Sequence, residues 1–421
     1  MPDSVDDPAS AVQDPRTQTA TETMKSSQAI VSSLLGAGAL ASPARLFVAS
    51  YGGTVSTLVI GATKASPDCG IQQLHPTSVS AQCSTNPSWL TLDAPKDVLY
   101  CLDEGLNTVD GTLTSLKTNK DGSLSVLDQR PTLNGPVSGV FYGHNRNGLV
   151  MAHYVGSGVT TWDVSDPSKI KLLDQQEFKL AAPGPDPAQD SPHPHEAVLA
   201  PAGKFILVPD LGADMIRVFN YDDATLRIKA LPAIHSKPGY GPRHLAFVVK
   251  GRNTYAYLAC ELKNRIVGYK VTYPSKESIH FTEIFDVNTH GDAAQLSDAF
   301  SAAEILVTPD TNHVLMSSRG EKSLTIPNFD PTNSTAIVSD PIINFSIDAE
   351  TGHLTRIQTV SAGGKFPRHF SINKAGTLVA VGLQLDSRVA VIARDPKSGL
   401  LGDFVAYANV AGEITCAVFD E

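Results

Sequence analysis

The sequence lacks any apolar run of the roughly 18 residues that a membrane-spanning helix needs, so we expect no transmembrane helix. It is also short of basic residues. Lysine and arginine number 33 against 43 aspartate and glutamate residues, which gives a formal net charge of −10. This balance argues against a nucleic acid partner, because phosphates attract basic surfaces. A cluster of arginines would therefore stand out against the acidic background.

Two signatures of catalysis are also missing. The Gly-x-Ser-x-Gly motif of a nucleophilic serine does not occur, and no glycine-rich phosphate loop is present. The pair His193-Pro-His195 suggests a metal site with Asp210 as a third ligand, but no nearby cysteine or second histidine pair completes a tetrahedral set. We therefore predict that the protein holds no metal and no cofactor.

Cysteine is scarce, with five residues in the chain. Cys69, Cys83 and Cys101 cluster in the first quarter, whereas Cys260 and Cys416 fall within apolar runs. An odd number leaves at least one thiol without a partner in the chain. One bridge among the first three would fit an oxidising compartment.

The N-terminal region differs from the rest of the chain. Residues 1–23 are polar and acidic, which predicts disorder. Lys25, the apolar residues 29–40 and the small residues 41–44 then follow the pattern of a signal peptide. We expect a leader over residues 1–44 and one domain over residues 45–421. Translation from Met24 predicts an extracellular protein, to which the sequons at Asn333 and Asn344 add weak support, and translation from Met1 predicts a cytoplasmic one.

A repeated unit fixes the predicted fold. Each unit begins with an anchor, which we define as the residue that follows or lies next to a proline or glycine at the start of the first apolar strand, as Arg243 does in Pro242-Arg-His-Leu-Ala-Phe-Val. A turn, a second apolar strand and two weaker strands follow. Seven anchors recur at intervals of 45 to 65 residues: Ser88, Val137, His195, Arg243, Ala303, Arg368 and Glu413. This interval is typical of a propeller blade. The alternative of two separate β-domains would need a linker, and no linker-like stretch divides the repeats.

The two ends of the chain complete one blade. Only one strand follows Glu413, and the runs that begin at Arg45 and Ser56 have no anchor of their own. Pairing of the N- and C-terminal strands would close the ring and remove an exposed sheet edge. The sequence therefore predicts an all-β fold, a seven-bladed β-propeller closed by its terminal strands.

Ring closure gathers distant residues at one end of the central channel. The first two strands of a blade are antiparallel, so the start of the first and the end of the second, about 16 residues later, share a rim. We predict a funnel in which His195, Glu261, Arg243 and Arg319 are catalytic. Further residues are expected to bind substrate: Arg368, Asp210, Gln384, Glu104 and His153.

Three arginines on one rim favour an anion receptor, because guanidinium groups bind carboxylate or phosphate bidentately. Each arginine could instead pair with a carboxylate to hold blades together. His195 could transfer a proton, and so could Glu261 if burial raised its pKa. Strand alternation predicts that His244 and His369 face away from the funnel as packing residues. Loops 181–192 and 327–340 are candidate lids over this mouth.

At these residues the sequence resembles the family of bacterial 6-phosphogluconolactonases and fungal 3-carboxy-cis,cis-muconate cyclases. The resemblance covers residues 45–421 and is strongest in four segments. These are His195-Glu-Ala-Val-Leu-Ala-Pro, Gly241-Pro-Arg-His with Glu261, Ala303-Glu-Ile-x-Val-Thr-Pro-Asp with Arg319, and Phe366-Pro-Arg-His-Phe. Tyr51-Gly-Gly and Pro87-Ser-Trp-Leu-Thr-Leu-Asp look like the fungal branch.

The resemblance implies a seven-bladed propeller with a metal-independent site on its axis. It also implies functional roles for the positions of His195, Glu261, Arg243 and Arg319, with Arg368 as a further basic position. The expected partner is a small anionic lactone or carboxylate, and the expected reaction is hydrolysis of a lactone as in a 6-phosphogluconolactonase. Cyclisation of a carboxymuconate is the first alternative. A propeller that binds a partner without catalysis is the second.

Overall fold

A computed structural model describes residues 43–61, 70–290 and 300–421. This part of the chain is built almost wholly of β-strands, with four short 3-10 helices (Ala94–Lys96, His144–Arg146, Pro187–Gln189 and Gln384–Asp386). No helix in the described ranges is long and apolar enough to cross a membrane. The predicted leader and Cys69 lie outside the described residues.

The strands form seven four-stranded antiparallel blades. Blade 1 contains β1 (Ala44–Ser50), β2 (Thr54–Ile60) and β4 (Ser78–Ser80), with β3 (Gln72–Gln73) between β2 and β4 in the chain. Blade 2 contains β5 (Pro87–Asp93), β6 (Val98–Asp103), β7 (Gly111–Thr118) and β8 (Leu124–Thr132). Blade 3 contains β9 (Pro136–Tyr142), β10 (Gly148–His153), β11 (Gly158–Asp163) and β12 (Lys171–Glu177). Blade 4 contains β13 (Val198–Leu199), β14 (Phe205–Asp210), β15 (Met215–Tyr221) and β16 (Ile228–His235).

The remaining strands complete the ring. Blade 5 contains β17 (Pro242–Lys250), β18 (Asn253–Cys260), β19 (Arg265–Ser275) and β20 (Ser278–Asn288). Blade 6 contains β21 (Ser301–Val307) and β22 (His313–Arg319), then the small hairpin of β23 (Leu324–Ile326) and β24 (Ile337–Ser339), then β25 (Pro341–Ile347) and β26 (Leu354–Ser361). Blade 7 contains β27 (Pro367–Ile372), β28 (Leu378–Leu383), β29 (Arg388–Arg394) and β30 (Leu401–Asn409). The last strand is β31 (Ile414–Phe419).

Closure of the ring follows the prediction. The C-terminal strand β31 pairs antiparallel with β1 and forms the innermost strand of blade 1. Blade 1 is also tied to both neighbours, because β3 pairs in parallel with β30 of blade 7 and a disulfide joins Cys83 to Cys101 in β6 of blade 2. The expectation of one bridge among the first three cysteines is therefore confirmed.

The apolar core is divided among the blade interfaces. Seven clusters of buried apolar side chains fill the seven spaces between adjacent blades. The inner strands β14, β22 and β28 are buried along their whole length, and β18 is buried from Tyr255 onward, so each contains a run of apolar residues. Because these apolar side chains pack between the blades, the residues at the ends of the two inner strands of each blade line the central axis.

A β-bulge at the start of the innermost strand positions the functional residues. Arg243 has no partner in the ladder, because Pro242 pairs with Cys260 and His244 with Ala259. The register shifts in the same way at Arg368, between Pro367 and His369. Corresponding shifts occur at Ser88, Val137 and Thr415. A bulge bends the strand and re-aims side chains, so the anchor residue and the residue after it both reach the axis.

The positions of the bulges also show that the anchor residue predicted for one blade is wrong. The side chain of Ser88 donates to the carbonyl of Pro136, and Thr415 donates in the same way to the carbonyl of Pro87. Thr415, not Glu413, therefore holds the anchor position of blade 1. The predicted anchor at Glu413 is two residues too early.

Candidate functional site

The centre of the candidate site is a carboxylate held by two arginines. Oε2 of Glu261 lies 2.9 Å from Nε of Arg243, and Oε1 lies 2.7 Å from Nη2 of Arg319. Arg243 follows the start of β17, Glu261 follows the end of β18, and Arg319 ends β22 in the next blade. The side chain of Arg243 is only 2% exposed. A charge so deeply buried needs a partner, and Glu261 provides it.

These ion pairs reverse the predicted protonation of Glu261. Burial alone would raise the pKa of this carboxyl, but Arg319 and Arg243 outweigh burial and hold its pKa below the ordinary value. Glu261 is therefore ionised at neutral pH, and the condition under which it could transfer a proton, a pKa raised by burial, is not met. Burial, and then the neighbouring charge of Arg319, lowers the pKa of Arg243 to about 10, which still leaves it charged.

Arg368 forms a second charged group on the same rim. Its Nη2 lies 3.8 Å from Oε2 of Glu104, which also accepts a hydrogen bond from the hydroxyl of Tyr51. The guanidinium lies 5.5 Å from the centre of the Tyr51 ring, and that of Arg319 lies 5.0 Å from the centre of the Phe366 ring. Burial lowers the pKa of Arg368, but Tyr51 and Glu104 outweigh burial and the pKa is raised overall. Both arginines are thus held against aromatic faces.

His195 is a buried imidazole that remains neutral. Burial lowers its pKa well below the ordinary value, and Arg243, His244 and Arg368 lower it further. Its Nδ1 is buried without a hydrogen-bond partner, and its ring lies edge-on to Tyr154 at 5.6 Å between centres. Nη1 of Arg243 and Nε of Arg319 are likewise buried without a hydrogen-bond partner in the described structure. Unsatisfied donors and acceptors of this kind are typical of a binding site, because burying them otherwise costs free energy.

Two predicted residues do not reach the funnel. Asp210 is fully buried and accepts from the backbone N–H of His193, while its other oxygen pairs with Nε of Arg217 at 2.7 Å. His153 is fully buried, and its Nε2 lies 2.8 Å from the hydroxyl of Thr160. Both predictions are wrong for the same reason, which is a shift of one residue along the second strand. Such a shift moves a side chain to the other face of a sheet.

The pairing of the strands shows which residues hold the rim position instead. Pro87 pairs with Asp103, Pro136 with His153, Pro194 with Asp210 and Pro242 with Cys260, so the rim residue is the next one along the chain. In ring order this position is held by Tyr51, Glu104, Tyr154, Leu211, Glu261, Arg319 and Gln384. The spacing of 16 residues from anchor to rim would have led from His195 to Leu211 rather than to Asp210.

Tyr154 is the functional candidate that sequence reasoning missed. Its ring stacks on His193 at 4.2 Å between centres and contacts His195 edge-on. Burial, and then the charge of Glu261, raises its pKa to about 12, so the hydroxyl is protonated and can donate a hydrogen bond. Gln384 lies at the rim as predicted, and its amide donates to Oε2 of Glu413 at 2.7 Å.

The two predicted lids differ in position. The first loop ends at the site, because Gln189 is fully buried against the carbonyl of Leu211 and His193 stacks on Tyr154. The second is fixed by Phe329, which packs on Phe404 and Tyr407 of β30. This contact places Phe329 beside the outer strand of blade 7, and it does not support a lid over the axis.

Comparison with known proteins agrees with this geometry. The sequence model of the family described as lactonase, seven-bladed β-propeller, matches residues 45–419. The chain belongs to this lactonase family. It is 30% identical over 318 residues to a probable 6-phosphogluconolactonase of Arthroderma benhamiae, covering 75% of each chain. It is 25% identical over 339 residues to a 6-phosphogluconolactonase of Formosa agariphila, covering 79% of this chain and 88% of the relative.

Solved structures show the same fold. The periplasmic gluconolactonase of Pseudomonas aeruginosa superposes with a TM-score of 0.73 at 23% identity, covering 90% of this chain and 99% of that one. In this chain, seven of the nine predicted site residues lie together at one end of the axis. These are His195, Glu261, Arg243, Arg319, Arg368, Glu104 and Gln384.

Proposed function

We propose that this protein hydrolyses a small anionic lactone, in the manner of the 6-phosphogluconolactonases that it resembles. The observation that carries the proposal is the Arg243–Glu261–Arg319 group beside the neutral imidazole of His195. Three arginines pair with two carboxylates, the half-buried Glu261 and the buried Glu104, so the guanidinium groups outnumber the carboxylates paired with them by one and can bind an anionic substrate or intermediate. A positive charge fixed in a site shielded from water stabilises an oxyanion.

The proposed reaction begins with attack of water on the carbonyl carbon of the lactone. His195 accepts the proton of this water, and the carbonyl oxygen becomes an oxyanion that Arg243 and Arg319 stabilise. The bond between the carbonyl carbon and the ring oxygen then breaks, and the imidazolium returns its proton to the ring oxygen. The products are a carboxylic acid, which releases its remaining proton to solvent, and a free hydroxyl on one open chain. Glu261 is too strongly paired to act as the base, and it positions both arginines.

A lowered histidine pKa suits this substrate. A base with a low pKa is a weak base, but a lactone is an activated ester that needs little assistance from one. The neutral imidazole also remains available in mildly acidic solution, because protonation occurs only below the lowered pKa. Tyr154 and its hydroxyl would help to orient the substrate beside His195.

We also propose that the protein is exported and groups with the fungal members of the family. The Cys83–Cys101 bridge supports export, and the relative from Arthroderma benhamiae supports the grouping. Asn333 lies in an exposed loop, where a glycan can be accommodated, whereas Asn344 is buried and donates to the carbonyl of Gly399. Only the Asn333 sequon is therefore usable.

We expect the purified protein to open 6-phosphogluconolactone, gluconolactone or both faster than the spontaneous reaction. Arg243→Ala and Arg319→Ala should each lower kcat by about 10²- to 10³-fold, because each removes a donor to the oxyanion. Arg265→Ala is the matched control, since Arg265 pairs with Asp286 on the outer part of blade 5. Acid release at constant pH measures the rate. Wild-type rates in both site variants, or cyclisation of carboxymuconate without lactone opening, would contradict the proposal.

The pH dependence tests the role of His195. With unphosphorylated gluconolactone, kcat should remain high as the pH falls through 6.5, the ordinary pKa of histidine, and should decline only well below it. The reason is that the neutral base persists until the lowered pKa is reached. His195→Gln should abolish this acid limb along with most of the activity. A limb centred at pH 6.5 in the wild type would assign the proton transfer to another group.

Export predicts a defined N-terminus. Expressed from its natural gene in a secreting host, the protein should appear in the medium, cleaved near residues 41–44 and carrying a glycan at Asn333. Mass spectrometry of the intact protein and of its peptides measures both. Retention in the cell with an N-terminus at residue 1 or 2 would show that the apolar segment is not used as a signal.

A further inference from the structure

A second layer of titratable side chains lies beneath the arginines. The residue after each anchor contributes to it, because the bulge turns both residues toward the axis. His244 belongs to blade 5, yet its ring lies 6.1 Å from that of Trp89 in blade 2, and Trp89 is 5.0 Å from His369 in blade 7. Contacts between non-adjacent blades place these rings at the axis. The prediction that His244 and His369 face away from the funnel is therefore wrong.

Two carboxyl groups share one imidazole in this layer. Nδ1 of His244 lies 2.9 Å from Oε1 of Glu304 and 3.8 Å from Oε1 of Glu196. Oε2 of Glu196 accepts the backbone N–H of Leu245 at 2.6 Å. Oε2 of Glu304 is buried without a hydrogen-bond partner and lies 3.9 Å from Nε2 of His369.

Burial makes this group neutral. The side chains of His244 and Glu304 are each 1% exposed, and that of Glu196 is 12% exposed. Burial, and then the facing carboxyl of Glu304, raises the pKa of Glu196 well above its ordinary value, and burial raises the pKa of Glu304. Burial and then Arg243 lower the pKa of His244 well below its ordinary value, and burial lowers the pKa of His369 to about 4. Burial therefore favours the protonated form of both carboxyls and the uncharged form of both imidazoles.

We propose that Glu196, His244 and Glu304 form a neutral positioning network that preserves the positive charge of the site above it. His244 follows Arg243 directly, so its hydrogen bond to Glu304 also fixes the bulge that aims Arg243 at Glu261. Ionisation of Glu304 would place a negative charge beneath Arg243 and oppose binding of an anion. The proposal rests on the proposed function, since it assumes that the site above binds an anion.

Several other charged or titratable groups act on the two carboxyls and will influence their titration. Arg243 acts on both carboxyls, and His369 and Cys416 interact with Glu304. Arg368 acts on the imidazoles of His244 and His369, and His195 interacts with His244. Of these, Arg243 favours ionisation of both carboxyls, and His369 favours that of Glu304. Loss of the first proton is therefore opposed by burial and favoured by the positive charge of Arg243.

Binding of D-gluconate, the product of gluconolactone hydrolysis, tests the network without requiring turnover. In the wild type, the Kd measured by calorimetry should rise on the order of tenfold from about pH 6 to about pH 9, since one charge is added near the arginines. The double variant Glu196→Gln/Glu304→Gln keeps the shape and removes both titratable carboxyls, so its Kd should match the wild type at pH 6 and remain flat. Glu283→Gln, an exposed change on the outer strand β20, should follow the wild type.

The remaining outcomes are also informative. Equal pH dependence in the wild type and the double variant would overturn the proposal, even if both proteins hydrolyse lactones. A stoichiometric divalent metal that is present in the wild type and absent from the double variant would overturn it too, because a cation would then neutralise the carboxyls. If the double variant does not fold, Glu304→Gln provides a second comparison, in which Kd should rise at a lower pH than in the wild type, because the facing carboxyl that raises the pKa of Glu196 is gone; an unchanged pH dependence would overturn the proposal. Gluconate binding with the predicted pH dependence, but without lactone opening, would support the network and contradict the proposed function.

Discussion

Glu261 lies between the guanidinium groups of Arg243 and Arg319, and the candidate site depends on this contact. Without the carboxylate, two buried positive charges from adjacent blades would face each other at short range, which is strongly unfavourable in a region of low dielectric constant. With it, both arginines are fixed and retain donors directed away from Glu261. The contact forms only because Arg243 occupies a bulge, Glu261 follows the second strand, and Arg319 reaches the same rim from the next blade.

The axis thus has two layers of different electrostatic character. The outer layer carries three arginines and two carboxylates, and it has a net positive charge that suits an anion. The inner layer contains carboxyls and imidazoles that burial keeps uncharged. His195 lies between the two, with its ring 5.1 Å from that of His244. Its neutral state follows from burial and from the positive charges around it, and this state makes it the natural proton acceptor.

Much of this arrangement was predictable from the sequence. The anchor repeat gave the number of blades and the closure by the terminal strands, because a propeller must place equivalent residues at equivalent positions. The strand-end argument gave Glu261, Arg319, Glu104 and Gln384. It failed at Asp210 and His153, where the chosen residue was one position too early. The spacing of 16 residues found at Ser88, Ala303 and Arg368 would have led from His195 to Leu211 instead of Asp210.

Other features could not be read from the pattern alone. Strand alternation gave the wrong orientation for His244 and His369, since a bulge breaks the period of two and leaves no clear composition signal. The pKa of Glu261 depended on two partners from different strands, and only the three-dimensional arrangement shows that they outweigh burial. Tyr154 was left out because His153, the residue before it, was chosen for the same strand end.

The central claim is that ring closure creates one anion site on the axis, bounded by Arg243 and Arg319. A crystal structure of the protein with D-gluconate bound tests it most directly. We predict that the carboxylate of gluconate contacts both guanidinium groups, within reach of His195 and above the neutral layer. Gluconate bound elsewhere on the propeller, with Arg243 and Arg319 contacting only Glu261, would contradict the account.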